Sequence, residues 1–256
     1  MPDTCRLLID SPARGTWNMA VDEVLLQQAA ATGRATLRFY QWSEPTLSLG
    51  YFQPLALRDS HKASRDCAVV RRVTGGGAIL HDRELTYSLA LPLDPRGSLR
   101  IDWLYDALHR SLVDTLAVLN VAAELRPIEP SAPPAKDEPF LCFQRQTPGD
   151  VLVGGVKVAG SAQRRRRRAG QAERPAVLQH GSVILHQSEK APEIAGIAQI
   201  TGAALSAAQF VALWPEKIEY HLHTNFIVAP LSAEEHRRVE RAEQDRFADP
   251  RWTHRR

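Results

Sequence analysis

The chain has 256 residues, 44% of them apolar and 24% charged, with a formal net charge of +3. It can bury a real core, and so small a cationic excess excludes a nucleic-acid footprint over the whole molecule. Cys5, Cys67 and Cys142 form no C-x-x-C pattern, which argues against zinc and disulfides and for a reducing cytoplasm, while the lack of a leader pattern or a long apolar run argues against secretion and membrane insertion.

Arg6-Leu7-Leu8-Ile9 reads as a first strand, stopped by Ser11-Pro12. A helix is expected over 18–31, with Val21, Val24, Leu25 and Gln28 on one face. Asp22 and Glu23 fall in its first turns, where carboxylates complement the helix dipole. Strands are expected over 36–41 and 46–51, separated by Ser43-Glu44-Pro45. Residues 68–73 form another strand that enters Arg71-Arg72-Val73-Thr74-Gly75-Gly76-Gly77-Ala78-Ile79-Leu80-His81-Asp82, and 84–91 returns from it. The loop therefore joins two strands.

Residues 102–120 carry Leu104, Leu108, Leu112, Leu116 and Leu119 at helical spacing. The Pro- and Ala-rich stretch 127–139 is an irregular connector. Val151-Leu152-Val153 and 156–159 flank Gly154-Gly155 as a tight hairpin. After an arginine-rich loop comes a strand over 176–185. The tail from about 206 to 256 is mostly helical, and Ser232-x-x-Glu235 marks the start of its last helix. The whole, 1–256, is expected to be one α+β domain with a mixed, largely antiparallel sheet flanked by helices.

Glycine lacks a Cβ and tolerates positive φ, so Gly75, Gly76 and Gly77 can bring backbone N–H groups close to a ligand. With Arg71 and Arg72 beside them, the loop reads as a cradle for a carboxylate, thioester or phosphate oxygen; a plain hairpin turn is the alternative. Cys142, between Leu141 and Phe143, is either an inert buried thiol or a nucleophile. Lys157 alternates away from Val156 and Val158 on the return strand of the hairpin. If it meets Cys142, its cation favours the thiolate and its amine can relay a proton. Gly160-Ser161-Ala162 suits either a narrow pocket wall or a tight turn. His180 is a conceivable base, but no Asp at a recognisable spacing supports it. His221 and His223 lack the neighbours of a metal site. The run 164–168 reads as a solvated, mobile loop, or as a docking patch for an acidic protein; without interleaved aromatics it is a poor RNA site.

In order along the chain, Asn18-Met19-Ala20-x-Asp22-Glu23, the 71–82 loop, Leu85-Thr86-Tyr87-Ser88, the 155–163 segment and Gln179-His180-Gly181-Ser182 resemble the lipoate-protein ligase, octanoyltransferase and biotin-ligase superfamily. The resemblance implies a mixed sheet flanked by helices. It also implies that Arg71, Arg72, Gly75, Gly76, Gly77, Ala78 and His81 line an acyl or acyl-adenylate pocket, together with Gly160, Ser161, Ala162 and His180. Lys157 matches the family's active-site lysine, and Cys142-Phe143 resembles the branch that forms a cysteine thioester. The triple glycine is more ligase-like than the Gly-Gly-Arg of many transferases.

The implied activity is octanoyl or lipoyl transfer from acyl carrier protein, through Cys142, to a lysine of a lipoyl domain. Acceptors would be lipoyl domains of 2-oxoacid dehydrogenases or the glycine cleavage H protein. The implied reaction is cytoplasmic and has no cofactor, metal, nucleic-acid or membrane partner. The alternative is a ligase that consumes ATP with Mg²⁺ and holds lipoyl-AMP; a third reading is a non-catalytic carrier-binding module.

Overall fold

Adjacent apolar residues in one strand must point to opposite faces of its sheet, and in this chain both faces are covered. In the computed structural model, which describes residues 2–94, 102–127, 139–167 and 173–256, β1 (Thr4–Ile9) sends Leu7 into one core layer and Leu8 into the other. The helix α1 (Gly15–Thr32) covers the Leu8 side. After β2 (Thr36–Tyr40) the chain forms a separate small sheet from β3 (Thr46–Leu49), β4 (Ala68–Arg71) and β5 (Ile79–His81), in the order β4-β3-β5. It then returns to the large sheet as β6 (Glu84–Pro92).

The helix α2 (Asp102–Val118) lays Leu104, Leu108, Leu112 and Leu116 on the Leu7 side. Next come β7 (Glu124–Leu125), β8 (Val151–Val153), β9 (Val156–Arg166) and β10 (Ala176–Ile184), then the short helix α3 (Ile197–Thr201) and α4 (Ala207–Leu222). Phe210, Trp214 and Ile218 of α4 pack on the same layer as α2. The chain ends with β11 (Asn225–Val228), α5 (Ala233–Ala242) and α6 (Pro250–Thr253). The large sheet runs β11-β1-β2-β6-β10-β9-β8-β7; β1 is parallel to β11 and β2, and the other pairs are antiparallel. This is the mixed, largely antiparallel sheet the sequence suggests. No helix among the described residues is long and apolar enough to cross a membrane.

Several expectations change. The glycine loop returns through β5 of the small sheet, and the 84–91 strand belongs to the large sheet. Asp22 does not serve the dipole of α1, because that helix starts at Gly15 and Asp22 stands two turns in, buried. The arginine run is not a loop as far as Arg166: β9 continues through it, paired with 176–178 of β10. The ladder supplies backbone partners while Arg164 and Arg165 stay in solvent, which charge alone cannot reveal. His221 lies in the last turn of α4, bonded to Asp114 at 2.6 Å, and His223 is its left-handed cap at φ 50°. The 151–159 hairpin forms as expected on Gly154 and Gly155, both at positive φ. Ser232 and Glu235 make the expected reciprocal cap. Of the 127–139 connector, only its two terminal prolines lie within the described residues, as does no part of Arg168.

Candidate active site

The two arginines that open the glycine loop have different tasks. Arg71 lies outside the cavity: Nη1 donates to Gly50 O (2.9 Å) and Gln53 O (2.6 Å), while Nε and Nη2 donate to Thr253 O. It fastens α6 and the 50–53 turn to β4. Arg72 reaches the cavity wall with both Nη groups committed, while its buried Nε has no partner among the described residues. Nη1 binds Ser48 O (2.8 Å) and Oγ (3.1 Å), and Nη2 binds Gly75 O (2.9 Å) and Gly77 O (2.6 Å). Burial pushes its guanidinium down to about 10, which the Cys142 sulfur opposes, so it stays charged at neutral pH.

Arg72 thereby takes up two loop carbonyls. Among the described residues, none of the three glycine N–H groups donates to a protein acceptor. Such unspent donors are what an oxyanion needs. Gly50 permits the loop's close approach, since a Cβ there would stand 2.0 Å from Gly76 O.

The far end of the loop carries the cysteine. Ala78 N–H donates to Phe140 O (3.0 Å), and Cys142 N–H to Ala78 O (2.8 Å). Leu141 anchors this segment in the core of the small sheet. A Cβ on Gly77 would come within 3.2 Å of the Cys142 backbone, so that glycine seats the cysteine. Cys142 is half-buried and opens a single 3-10 turn, Cys142–Gln144. The other thiols are inert by burial, which pushes Cys5 up to about 12 and also raises Cys67.

Lys157 enters the same cavity from β9, only 4% exposed. Its Nζ lies 2.8 Å from Asp150 Oδ2 and 5.3 Å over the Phe143 ring. Asp150 is itself fixed by Tyr105 Oη (3.0 Å) and Thr147 N–H (2.6 Å). Lys157 is thus one half of an ion pair, with its amine position set by Asp150. Gly160 makes room for the pair, because a Cβ would meet Lys157 Cε at 2.7 Å and Asp150 Oδ1 at 2.8 Å.

Two buried relays brace the loop. Thr74 Oγ1 and His180 Nε2 are 2.5 Å apart, and His180 Nδ1 is 3.4 Å from Asp22 Oδ2. Burial pushes His180 below its ordinary value, only partly offset by Asp22. The imidazole is thus neutral at pH 7; Nδ1–H donates to Asp22, and Nε2 accepts from Thr74. Burial would raise the Asp22 pKa, but His180 and Arg38 hold it below the usual carboxylate range. Arg38 Nη1 (3.0 Å), Tyr40 Oη (3.0 Å) and Ser88 Oγ (2.8 Å) also donate to it. In the second relay Arg72 gives to Ser48 Oγ, Ser48 to His81 Nε2 (2.7 Å), and His81 Nδ1 to Glu84 Oε1 (2.7 Å). Trp42 stacks on His81 at 3.9 Å between centroids.

All the expected site residues except Arg71, Gly77 and Ala78 line one cavity of about 170 Å³, shared with the apolar side chains of Met19, Tyr40, Trp42, Ile79 and Phe143. Gly77 and Ala78 stand behind Cys142. Sequence reasoning missed Ser48, Thr74, Asp150 and the Asp22 partner of His180. Only Asp22 carried a signal, as part of the Asn18–Glu23 motif in the first helix.

The family model described as the lipoyl protein ligase A/B catalytic domain matches residues 14–191. Octanoyltransferase LipM of Anoxybacillus flavithermus is 35% identical over 186 residues, which are 70% of this chain and 63% of that one. The chain thus spans less than two thirds of that relative's length. Among solved structures, lipoate-protein ligase A bound with ATP superposes with TM-score 0.77 at 20% identity, covering 98% of both chains. The bi-partite lipoate protein ligase of Thermoplasma acidophilum, described with its E2 lipoyl domain, gives 0.75 at 19%, covering 98% of this chain and 96% of that one. At such identities the likeness is one of fold.

Proposed function

Because this chain belongs to the lipoyl protein ligase A/B catalytic-domain family, we propose that it is a cytoplasmic octanoyl (or lipoyl) transferase working through a thioester on Cys142. The observation that carries the reading is the seating of Cys142. Of the three cysteines it alone lines the cavity, and its backbone is laddered to a glycine loop with unspent N–H donors. The naming of a 35% identical relative as an octanoyltransferase supports the same chemistry.

In the first step the Cys142 thiolate attacks the thioester carbonyl of octanoyl carrier protein. The new C–S bond forms, the carrier's pantetheine thiolate leaves, and that sulfur takes up a proton. In the second, a lysine amine of a lipoyl domain attacks the acyl-enzyme; the C–N bond forms, Cys142 leaves as thiolate, and the amine proton passes to solvent. Two acyl transfers replace one difficult step. The N–H groups of the glycine loop stabilise each tetrahedral oxyanion, with the Arg72 charge behind them. Lys157, held by Asp150, is the polar group set to guide protons at the sulfur and the incoming amine. The acyl chain lies along Met19, Tyr40, Trp42 and Ile79. The donor's thioester supplies the free energy, so no ATP or Mg²⁺ is consumed. Acceptors are lipoyl domains of 2-oxoacid dehydrogenases or the glycine cleavage H protein, in keeping with the lipoyl domain named with the Thermoplasma ligase.

The test is intact mass after incubation with octanoyl carrier protein. One octanoyl adduct is expected, absent from Cys142→Ala. An undiminished adduct on that variant would overturn the mechanism. Pyrophosphate release from ATP, Mg²⁺ and free lipoate, surviving Cys142→Ser, would instead assign a ligase.

A further inference from the structure

The arginine run lies just outside the transfer chemistry. β9 leaves the cavity wall at Ala162 and continues as Arg164-Arg165-Arg166, followed by Arg167. These four line a shallow groove with Arg246, Tyr51 and Trp252. Two more come from the other end of the chain: Arg255 lies 4.5 Å from the Tyr51 ring centroid, and Arg256 5.2 Å from that of Phe52. Arg164 covers Tyr51 at 5.4 Å, and Arg246 covers Trp252 at 4.3 Å. Among the described residues, two carboxylates stand against these seven guanidiniums in ion pairs, Glu23 with Arg246 (3.2 Å) and Glu173 with Arg166 (3.4 Å).

The surplus of five positive charges exceeds the +3 of the whole chain, so charge is gathered here rather than spread. The crowding is felt nearby. Burial lowers the Arg71 guanidinium, and Arg255 and Arg256 push it further down. Like charges packed this closely leave a site best satisfied by an anionic partner. The groove also shares a wall with the cavity. Tyr51 N–H donates to Thr74 O (2.8 Å), and the Phe52 ring would sit 3.9 Å from a Cβ on Gly75.

We propose that this arginine groove docks the acyl donor, an acidic carrier protein whose octanoyl thioester hangs on a phosphopantetheine arm. The inference rests on the transferase reading above. Tether length separates donor from acceptor. Arg164 to Arg166 lie two to four residues of strand beyond Ala162, about 7 to 13 Å. An acceptor lysine extends only about 6 Å from its Cα, so its domain must sit directly over the cavity. A phosphopantetheine arm spans about 18 Å, which lets its carrier sit on the groove while the thioester reaches Cys142. The aromatic faces are already covered by guanidiniums, whereas single-stranded nucleic acid needs open rings for its bases.

The test compares the wild-type chain with the triple charge reversal R164E/R165E/R167E, which leaves the cavity untouched. Three measurements are made: acylation by octanoyl carrier protein, acylation by octanoyl-pantetheine, and binding of holo-carrier protein by fluorescence anisotropy. Reversal is expected to weaken carrier binding and slow carrier-dependent acylation at least tenfold, and to leave octanoyl-pantetheine acylation within twofold. Wild-type carrier binding should fall steeply with salt. Equal loss with both donors, unchanged carrier binding, a defect confined to the lipoyl-domain step, or tighter binding of a single-stranded RNA oligonucleotide than of carrier protein would each overturn the proposal. If the wild type binds carrier protein in this salt- and reversal-sensitive way yet forms no octanoyl adduct from either donor, the thioester reading fails and the docking surface stands.

Discussion

Asp22 shows what one residue can hold. It is a carboxylate in a buried helix, and four side chains from three strands donate to it or pair with it: Arg38, Tyr40, Ser88 and His180. Asp22→Asn keeps the shape but leaves Arg38 with one fewer anion, and loss of one partner from a buried pair costs about 3 kcal/mol. Urea unfolding should show a loss of that size, with acylation impaired as well, because His180 no longer has a fixed tautomer to brace Thr74. At this scale the sequence was half legible. Cys142, Lys157 and the glycines announce themselves by type and motif. Asp150, Asp22 and Ser48 do not, because their partners lie on other strands and no local spacing encodes the meeting.

The glycine loop depends on a glycine outside it, and the glycines of the chain are not equivalent. At Gly50, beneath the loop, an added Cβ would stand 2.0 Å from the Gly76 carbonyl, whereas at Gly155 nothing lies within 4 Å and only the positive φ of 77° opposes a side chain. Gly50→Ala should displace the loop and cut acyl-enzyme formation more than tenfold, since misplaced oxyanion donors forfeit a few kcal/mol of transition-state stabilisation. Gly155→Ala should cost about 1 kcal/mol in thermal or urea unfolding and leave acylation unchanged. The hairpin around Gly154-Gly155 and the leucine-spaced helix α2 were readable because turn chemistry and period are local. The small sheet was readable in part: strands at 46–51 and 68–73 were expected, but neither Ile79–His81 nor their pairing apart from the large sheet, which no local pattern encodes. For the same reason 164–166 reads as a charged loop until β10 supplies its ladder.

Over the whole molecule, the C-terminal elements are pinned to the first strand. β11 runs parallel to β1, and Arg6 Nη1 of β1 lies 2.8 and 2.9 Å from the two carboxylate oxygens of Glu235 in α5. Burial alone would raise the Glu235 pKa, but Arg6 and the N-cap at Ser232 bring it down from 4.5 to about 2. A depressed carboxylate stabilises the fold above its unfolded pKa and ceases to do so as pH falls through the folded one. Stability should therefore decline between about pH 4.5 and 2, and Glu235→Gln should lower the midpoint at pH 7 while flattening that acid limb. Urea titrations at several pH values check both.

The short ladder between Ala78 and Cys142 has a mechanical meaning. It ties the backbone that carries the sulfur to the far end of the glycine loop. Lys157 and Asp150 ride on the large sheet. The Thr74–His180 and His81–Glu84 contacts bind the loop to the large sheet as well, so thiol, loop and amine hold one spacing. Under the proposed transfer, an acyl group on Cys142 would keep its carbonyl beside the same loop through both successive attacks.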